Sequence, residues 1–405
     1  MEKKIYVEIT PFFPTNDSFR GPFIYDQVKA LERTGRFSKI LVLRPGKIWE
    51  RKQYYVYDGI KVHLFPCLFT PSYILNGIFD SINQWLFKRW FKKNFEKYIP
   101  DIVIAHAHVS TLAIFPLVIK KMNSNIKAVI QHHDLDPFTI RNGKFAGQLW
   151  NLKYKVRRNL RLFGQLDCHL CVSTKVKESL LSFPDARKGE FFESYLSKLR
   201  KLKSGKMNGS IHAEVLYNGV DLRTFHPLSN VVKKQFQIGC IANFVELKGH
   251  ATLLNAMRIL ILEKGYKDIY LSLVGSGPML EECKTYVDKH QLSEWITFKT
   301  EMEHSKLCEY YNSLSLFVLP SFFEGLGCVF TEAAACGVPF MTCENQGIED
   351  YILEGERGRW FFPAKDARKL ATLIEQYKSA PVEQHLALLV DIDILIEDYV
   401  KKIML

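Results

Sequence analysis

Two glutamates that flank a glycine-bearing turn give the sharpest chemical signal in the sequence. Glu324 and Glu332 lie eight residues apart, with Gly325 and Gly327 between them and an alanine-rich stretch around the second glutamate. Backbone N–H groups that glycines expose near a helix N-terminus suit a phosphate. A carboxylate in the first turn of a helix also complements the helix dipole, so a purely structural role for Glu332 stays open.

A lysine and a second glycine turn precede this segment. Lys248, followed by Gly249, comes shortly after a predicted strand and supplies one ammonium group near the expected anion site, with a mobile surface lysine as the alternative. Gly275-Ser276-Gly277-Pro278 ends another predicted strand and matches half of a dinucleotide-binding fingerprint. A tight strand-to-helix turn, with Pro278 in the first helical turn, accounts for the same residues.

A histidine with nearby carboxylates follows a strand in the first half of the chain. His133 is followed by Asp134 and Asp136. Histidine exchanges protons near neutral pH, and a neighbouring carboxylate can orient it or contact a hydroxylated ligand. A structural histidine is the alternative, and His132 is the alternative position. Adjacent histidines on an extended segment point to opposite faces, which argues against a metal site.

Gly21 closes the loop that follows the first predicted strand, and a helix is predicted to begin near Phe23. A glycine at that place lets the backbone approach an anionic group at the positive end of a helix. A plain turn at Gly21-Pro22 is the alternative.

The elements that must position these residues form two series of short β-branched runs alternating with helical patterns. Such alternation predicts βα units on parallel sheets, with ligands outside the carboxyl ends of the strands. The first series comprises residues 5–9, 39–43, 101–105, 128–131 and 169–173. The second comprises residues 236–242, 269–274, 295–299, 316–320 and 338–343.

Two doubly wound α/β domains follow from the two series, with the junction in the polar, proline-closed stretch 221–227. We expect an N-terminal domain of residues 1–225 and a C-terminal domain of residues 226–383. A terminal helix in residues 384–405 is expected to complete the first domain.

Charge is distributed unevenly between the halves. The net charge is +12, but residues 1–230 hold 37 basic against 19 acidic residues, whereas the remainder holds 18 against 24. A basic half raises the local concentration of anions such as nucleic acid, phospholipid headgroups or a phosphorylated substrate, with a solvated basic surface as the alternative. No nucleic-acid-binding module is recognisable.

A basic aromatic helix is predicted between Ile78 and Tyr98. Its apolar members are Ile82, Trp85, Leu86, Phe87, Trp90, Phe91 and Phe95, interleaved with Lys88, Arg89, Lys92, Lys93 and Lys97. This composition suits the interface of an anionic membrane, and a core-packed helix with a basic edge is the alternative. Two more basic stretches, 153–161 and 188–206, strengthen the membrane interpretation.

The N-terminus and the cysteines predict a cytoplasmic location. Glu8, Pro11 and Pro14 interrupt the first apolar stretch, so a signal-peptide core is not expected. Nine scattered cysteines favour a reducing compartment. Two uncharged runs, 62–79 and 102–119, contain prolines and histidines that argue against a membrane span.

Taken together, these motifs resemble the retaining family 4 glycosyltransferases. The resemblance rests on the Glu-x7-Glu segment, Lys248-Gly249, the run 216–221 (Leu-Tyr-Asn-Gly-Val-Asp), the turn 274–278 and the segment 358–363. It extends from the loop at residues 9–21 to Pro363, in matching order. It implies the B-type fold, in which two Rossmann-like domains face each other across a cleft.

By position, the resemblance implies a role for each residue. Glu324 would contact hydroxyls of the donor sugar and Glu332 the ribose of the nucleotide. Lys248 would meet the diphosphate, and Leu326, Gly327 and Cys328 would present backbone groups to the sugar and diphosphate. The other expected donor-binding residues are Gly21, Asn243 and Gly275. Asn243 stands where the family commonly has an arginine, so one fixed cation is replaced.

On the acceptor side, His133 resembles the histidine of the family's His-Gly-x-Asp loop. Asp134 then takes the glycine place and Asp136 the aspartate place.

The implied reaction transfers a sugar from a nucleotide sugar to an acceptor hydroxyl, with retention at the anomeric carbon. No cofactor and no metal are expected, since an ammonium group, oriented N–H groups and a helix end can stabilise the departing diphosphate. The basic first half favours a lipid-linked or membrane-proximal glycan acceptor in cell-surface polysaccharide synthesis, with the protein peripheral on the inner membrane face. Two alternatives stay open: a catalytically silent partner subunit, suggested by Asn243, and a sugar-nucleotide epimerase of the same architecture.

Overall fold

The computed structural model describes most of the chain. The described residues are 3–16, 21–69, 77–133, 140–141, 144–145, 158–159, 161–181, 211–231, 233 and 235–404. Their contacts divide into two compact units. The N-terminal unit comprises residues 1–139, 145–218 and 392–405, and the C-terminal unit comprises residues 140–144 and 219–391.

The N-terminal unit is built on an eight-stranded sheet with the order β10-β9-β6-β5-β1-β2-β4-β3. All neighbouring strands are parallel except β3 and β4. The strands are β1 (Ile5–Ile9), β2 (Lys39–Lys47), β3 (Tyr54–Tyr57), β4 (Ile60–Cys67), β5 (Ile102–His108), β6 (Lys127–His132), β9 (Cys168–Cys171) and β10 (Ala213–Val215). The short strands β7 (Ile140–Arg141) and β8 (Lys144–Phe145) pair separately.

Helices cover both faces of this sheet. They are α1 (Pro22–Arg33), α2 (Asp80–Phe95), α3 (Ile114–Lys120), α4 (Thr174–Leu181) and, at the far end of the chain, α11 (Ile392–Met404). One core cluster joins the sheet to α2 and α3, and a second joins its other face to α1 and α11. The terminal helix therefore packs against the first strand of the chain.

The C-terminal unit is a six-stranded parallel sheet with the order β13-β12-β11-β14-β15-β16. Its strands are β11 (Phe236–Ile241), β12 (Ile269–Val274), β13 (Ile296–Lys299), β14 (Leu316–Leu319), β15 (Phe340–Cys343) and β16 (Phe361–Phe362). Its helices are α5 (His250–Arg258), α6 (Leu280–Lys289), α7 (His304–Asn312), α8 (Cys328–Ala335), α9 (Arg357–Trp360) and α10 (Ala367–Ser379). Both units are thus Rossmann-like, as the strand pattern predicts.

The division between the units falls before Gly219 rather than after residue 225. Val220 forms a β-bridge with Asp391, and the buried Phe225 packs edge-on against Tyr311, so these residues stay with the C-terminal unit. Residues 384–391 also belong to that unit, since the Ala387 N–H donates to the Tyr351 carbonyl at 2.8 Å. The returning helix accordingly begins at Ile392 and not at residue 384.

Most of the aromatic residues of helix α2 pack in the core or against it, so they do not form the membrane-facing surface that their composition suggested. Phe87, Phe91 and Phe95 recur every four residues, so they form one stripe that is buried against the sheet. Trp85, which is 58% exposed, and Ile82 lie outside that stripe. Among the described residues, no helix is both long and apolar enough to span a membrane.

None of the nine cysteines, all of which lie among the described residues, forms a disulfide bond.

The terminal helix offers a test of its place in the core. Ile396 is 2% exposed in the cluster with Tyr6 and Leu31, whereas Ile394 is 65% exposed on the same helix. Ile396→Ala removes buried methyl groups, so we expect the free energy of unfolding of the N-terminal unit to fall by about 2–5 kcal/mol. Hydrogen exchange in peptides from β1 measures it. The control Ile394→Ala should change it by less than about 0.5 kcal/mol, and equal effects of the two substitutions would contradict the packing.

Candidate functional site

The loops that carry the predicted donor-site residues share one edge of the C-terminal sheet. Strand β11 has β12 on one side and β14 on the other, so the chain direction across the sheet reverses at β11. In open parallel sheets, a ligand crevice forms outside the carboxyl ends of the strands at such a switch point. Asn243 and Lys248 follow β11, Gly275 follows β12, and Glu324 follows β14. The fold therefore brings together loops from three separate parts of the chain.

Two glycines allow these loops to pack closely. Gly275 has φ +143°, and a Cβ atom there would lie 2.2 Å from the Ala242 carbonyl oxygen. Gly249 has φ +67°, and a Cβ atom there would lie 2.1 Å from the Pro320 carbonyl oxygen. Residues that carry a side chain rarely adopt such backbone angles, and a Cβ atom at either position would also clash with the neighbouring carbonyl. Both positions therefore require glycine.

Lys248 and Glu324 form an ion pair at the centre of this edge. The Lys248 Nζ atom lies 2.5 Å from Glu324 Oε1, and the two side chains are only 21% and 13% exposed. The Glu324 N–H donates to Gln346 Oε1 at 2.5 Å, while its carbonyl accepts from the Gly347 N–H at 3.1 Å. The glutamate is therefore held through its backbone, and its carboxylate charge is balanced by the lysine.

Glu332 lies behind the turn, in the second turn of α8 rather than in the first. The predicted role as a helix-start carboxylate is therefore wrong. Its side chain is buried, and the Tyr311 hydroxyl donates to Oε2 at 2.7 Å. Burial raises the pKa of Glu332 to about 7, although the Tyr311 hydrogen bond acts in the opposite direction. The carboxyl group thus changes charge within the physiological range.

The remaining donor-site residues lie in loops of the same unit. Leu326 is buried, and Gly327, with φ +82°, caps the N-terminus of α8, which Cys328 begins. Asn243 is exposed. Pro278 precedes α6 instead of lying in its first turn, since that helix begins at Leu280.

A histidine that the sequence interpretation missed lies beside Lys248. His250 is buried, and its ring stacks on Phe244 with the centroids 4.2 Å apart. Burial, followed by the charge of Lys248, lowers its pKa to about 4. His250 is therefore a neutral packing residue, and its position in the first turn of α5 carried no distinctive signal.

In the N-terminal unit, His133 is the outer member of a row of polar side chains. His133 Nε2 lies 2.7 Å from His108 Nδ1, and His108 Nε2 contacts Glu8 Oε1. Glu8 and His108 are completely buried. They lie on β1 and β5, which are neighbours at the point where the chain direction across this sheet reverses.

The row extends inward from Glu8. His106 Nδ1 lies 3.4 Å from Glu8 Oε2 and 2.7 Å from the Tyr6 hydroxyl, which in turn lies 3.1 Å from the Tyr399 hydroxyl. Glu8, His106 and His108 each offer a ligand atom within 4.8 Å of the others, so these three could hold a metal ion. The sequence interpretation noted these residues only as interruptions of apolar runs. The signal was their alternation, since Tyr6 and Glu8, like His106 and His108, are two residues apart on a strand and share one face.

Gly21 belongs to the N-terminal unit, whereas the other predicted donor-site residues belong to the C-terminal unit. It caps α1 with φ +79°, and Phe23 in that helix has its ring centroid 4.8 Å from that of His133. The start of α1 is therefore close to the histidine row. Asp136 lies outside the described residues.

Two family models match the chain. Residues 223–387 match the family described as glycosyl transferases group 1, and residues 22–188 match glycosyltransferase family 4. Each match corresponds to one of the two units.

Individual curated proteins are similar to this chain at low sequence identity and over part of its length. A GDP-mannose-dependent alpha-(1-6)-phosphatidylinositol monomannoside mannosyltransferase of Mycolicibacterium smegmatis is 27% identical over 161 residues, which are 36% of this chain and 42% of that protein. The capsular polysaccharide biosynthesis glycosyltransferase CapM of Staphylococcus aureus is 28% identical over 208 residues, 49% of this chain and 51% of CapM. The chain thus spans about half or less of the length of these relatives.

A solved structure supports the fold over almost the whole chain. HepE of Anabaena, in complex with UDP, superposes with a TM-score of 0.67 at 14% identity and covers 99% of both chains.

The pKa of Glu332 gives a pH-dependent stability that can be measured. Below its ordinary pKa of 4.5, the group is protonated in both the folded and the unfolded chain. As pH rises from about 4.5 to about 7, only the unfolded state releases the proton, so stability falls. We expect the wild type to lose roughly 3 kcal/mol more than Glu332→Gln between about pH 5 and pH 8.

Denaturant unfolding of the two proteins at both pH values measures this difference. The exposed Glu294 on the same unit provides a control, because Glu294→Gln should track the wild type. Parallel pH profiles for wild type and Glu332→Gln would contradict the raised pKa.

Proposed function

The chain belongs to the group 1 and family 4 glycosyltransferases, and we propose that it transfers a sugar from a nucleotide-sugar donor to an acceptor hydroxyl with retention at the anomeric carbon. The observation that carries this proposal is the Lys248–Glu324 ion pair at the switch point of the C-terminal sheet.

Lys248 supplies the cation for the departing nucleoside diphosphate. A single lysine–phosphate contact at about 4 Å contributes a Coulomb energy of roughly 4 kcal/mol at an effective dielectric constant near 20. In the free protein, Lys248 is paired with Glu324. Arrival of the diphosphate would give the ammonium group a second anionic partner and leave the Glu324 carboxylate oxygens available to hydroxyls of the sugar.

The N-terminus of α8 supplies the second stabilising field. Gly327 caps this helix, and Cys328 begins it. The positive end of the helix dipole favours the negative charge that develops on the leaving diphosphate. Backbone groups of Leu326, Gly327 and Cys328 would contact the sugar and diphosphate, and those of Gly275 and Asn243 would lie beside them. No metal ion is needed for this step, because the ammonium group and the helix end supply the positive charge.

Glu332 would accept hydrogen bonds from the ribose hydroxyls of the nucleotide. With a pKa of about 7, it changes between acid and carboxylate near neutral pH, and the Tyr311 hydroxyl holds one of its oxygens. Ribose hydroxyls that donate to the carboxylate would favour its charged form.

The acceptor is proposed to be a lipid-linked or membrane-proximal glycan. His133 and Asp136 would belong to the part of the site that faces this acceptor. Lys88, Arg89, Lys92 and Lys93 are exposed on α2, next to the exposed Trp85. Basic residues at an anionic membrane contribute about 1 kcal/mol each, and a tryptophan inserts at the headgroup level. The proposed place of action is the cytoplasmic face of a membrane. Arg158 of the second basic stretch does not contribute, because it is buried against Asp80.

A donor screen tests the activity. UDP-, GDP- and ADP-sugars are offered to the full chain, and hydrolysis or transfer is followed with and without EDTA. We expect one donor class to be turned over in both conditions. Lys248→Ala should lower that turnover by roughly 10²–10³, as for loss of one preorganised anion-stabilising group, and Glu324→Gln should abolish it.

A matched control separates a site effect from loss of a surface ion pair. Lys284 Nζ lies 2.7 Å from Glu281 Oε1 in the same unit, so Lys284→Ala also removes a paired lysine and should leave turnover unchanged. If no donor is turned over by the folded wild type, the silent-subunit alternative replaces the proposal.

Vesicle sedimentation tests the membrane surface. The protein should sediment with vesicles containing anionic lipid and be released by salt, because such attraction is screened over about 8–10 Å at physiological ionic strength. Replacing Lys88, Arg89, Lys92 and Lys93 by Glu should abolish sedimentation.

The control variant replaces four exposed lysines of the acidic half by Glu, which gives the same change in net charge. These lysines are Lys267, Lys289, Lys306 and Lys369. This variant should still sediment. A wild type that never sediments would favour a soluble acceptor.

A further inference from the structure

Three side chains near the carboxyl ends of β1 and β5 form a compact cluster in the core of the N-terminal unit. Glu8 on β1 is paired in register with His106 on β5. His108 follows two residues later on the same strand, so it shares a face with His106. Each of the three side chains offers a ligand atom, and these atoms all lie within 4.8 Å of one another. The fold thus collects two imidazole nitrogens and a carboxylate oxygen at one place.

This set of donor atoms is one that zinc prefers. Histidine nitrogen and carboxylate oxygen bind Zn²⁺ at about 2.0–2.2 Å, which puts two ligand atoms of a tetrahedral site about 3.3–3.5 Å apart. His106 Nδ1 lies 3.4 Å from Glu8 Oε2, and His108 Nε2 contacts Glu8 Oε1. The first pair already has the spacing of two zinc ligands. The second pair would have to separate slightly to admit an ion.

The carboxylate of Glu8 is incompletely paired by the protein alone. Glu8 is completely buried, and its Oε2 atom forms no hydrogen bond with the described part of the chain. Its ion-pair partners among the described residues are His106 and His108, with no lysine or arginine. Buried charges are normally paired or bound to a metal, and a buried polar atom without a partner indicates a water molecule or an ion beside it.

The ring of His108 is held from behind, as metal-binding imidazoles are. Its Nδ1 atom lies 2.7 Å from His133 Nε2, while its Nε2 atom faces Glu8. A metal-binding histidine almost always uses its second ring nitrogen in such a contact, which fixes the ring. His106 Nδ1 lies 2.7 Å from the Tyr6 hydroxyl, so metal binding through this nitrogen would replace that hydrogen bond. The Tyr6 hydroxyl would keep Tyr399 as its partner.

We propose that Glu8, His106 and His108 bind a zinc ion that joins β1 to β5 behind His133. Three protein ligands leave one position of a tetrahedral site for a water molecule. The inference goes beyond the proposed function, because this ion belongs to the N-terminal unit and takes no part in stabilising the diphosphate. A water molecule alone, or a proton shared between Glu8 and a histidine, are the occupants that the experiment must exclude.

The metal content of the full chain tests the site without any substrate. Because the three side chains are completely buried, an ion would enter as the chain folds. The chain is therefore produced without a histidine tag in medium supplemented with Zn²⁺, dialysed and subjected to elemental analysis. We expect one equivalent of zinc per chain. A folded wild type without bound zinc would overturn the proposal.

A second preparation, produced with Co²⁺ in place of Zn²⁺, reports on the ligands. We expect the visible absorption of tetrahedral cobalt without the intense near-ultraviolet band of cobalt–thiolate bonds. A thiolate band would place the ion at one or more of the nine cysteines and contradict the assignment.

Substitutions locate the ion in the chain. His106→Gln and His108→Gln each remove one ligand while keeping a polar side chain, and each should lower the zinc content at least about tenfold. His169→Gln is the matched control, since His169 is also completely buried in this sheet but contacts His132 and the Phe163 carbonyl. It should retain its zinc. A full equivalent of zinc in a folded His108→Gln protein would contradict the proposal.

Anomalous X-ray scattering at the zinc edge from wild-type crystals decides the matter even if the variants fail to fold. We expect one peak within bonding distance of Glu8, His106 and His108, and a zinc peak only elsewhere would overturn the assignment. None of these measurements needs a sugar donor. Their failure therefore refutes the zinc site alone, whereas an empty donor screen refutes the proposed function.

Discussion

The reversal of chain direction at one strand of each sheet is the constraint on which the candidate sites depend. At β1 and at β11, the strands on either side belong to connections that run in opposite directions across the sheet. The loops at that edge diverge, and polar groups can collect there without breaking a ladder of hydrogen bonds. Glu8 and the histidine row lie at this place in one unit, and Lys248 and Glu324 lie at it in the other.

Close backbone packing in the C-terminal unit fixes the loops that carry Lys248 and Glu324, so that their side chains can form an ion pair. Gly249 lies against the Pro320 carbonyl, and Gly275 lies against that of Ala242. Gln346 then holds the backbone N–H of Glu324. Because unpaired charges out of water cost several kcal/mol, the two side chains are stable there only as partners or with a ligand that replaces one of them.

Much of the fold could be predicted from the sequence because its strands are short, β-branched runs with clear periodicity. All ten expected strands exist, with ends shifted by a few residues, and the predicted βα order produces two parallel sheets. Strands β3, β4, β7, β8, β10 and β16 were not predicted. Strand β3 pairs locally with β4 in an antiparallel hairpin across Asp58 and Gly59, whereas β10 pairs with β9, which is distant in sequence.

The candidate sites also differ in how far local sequence pattern could predict them. Glu324 and Lys248 follow predicted strands, so their proximity could be inferred from local pattern alone. The histidine row could not, because a buried Glu8 gains its meaning only from His106 and His108 on a strand about a hundred residues later. The stripe of Phe87, Phe91 and Phe95 shows the converse, since aromatic composition suggested that these three side chains face a membrane, whereas their four-residue spacing places them in the core.

A crystal structure of the full chain with a bound nucleoside diphosphate tests the central claim most directly. We predict a phosphate oxygen within hydrogen-bond distance of Lys248 Nζ, the phosphates beside the N-terminus of α8, and the ribose at Glu332. A diphosphate bound elsewhere, with the Lys248–Glu324 pair intact and Glu332 in contact only with Tyr311, would contradict it.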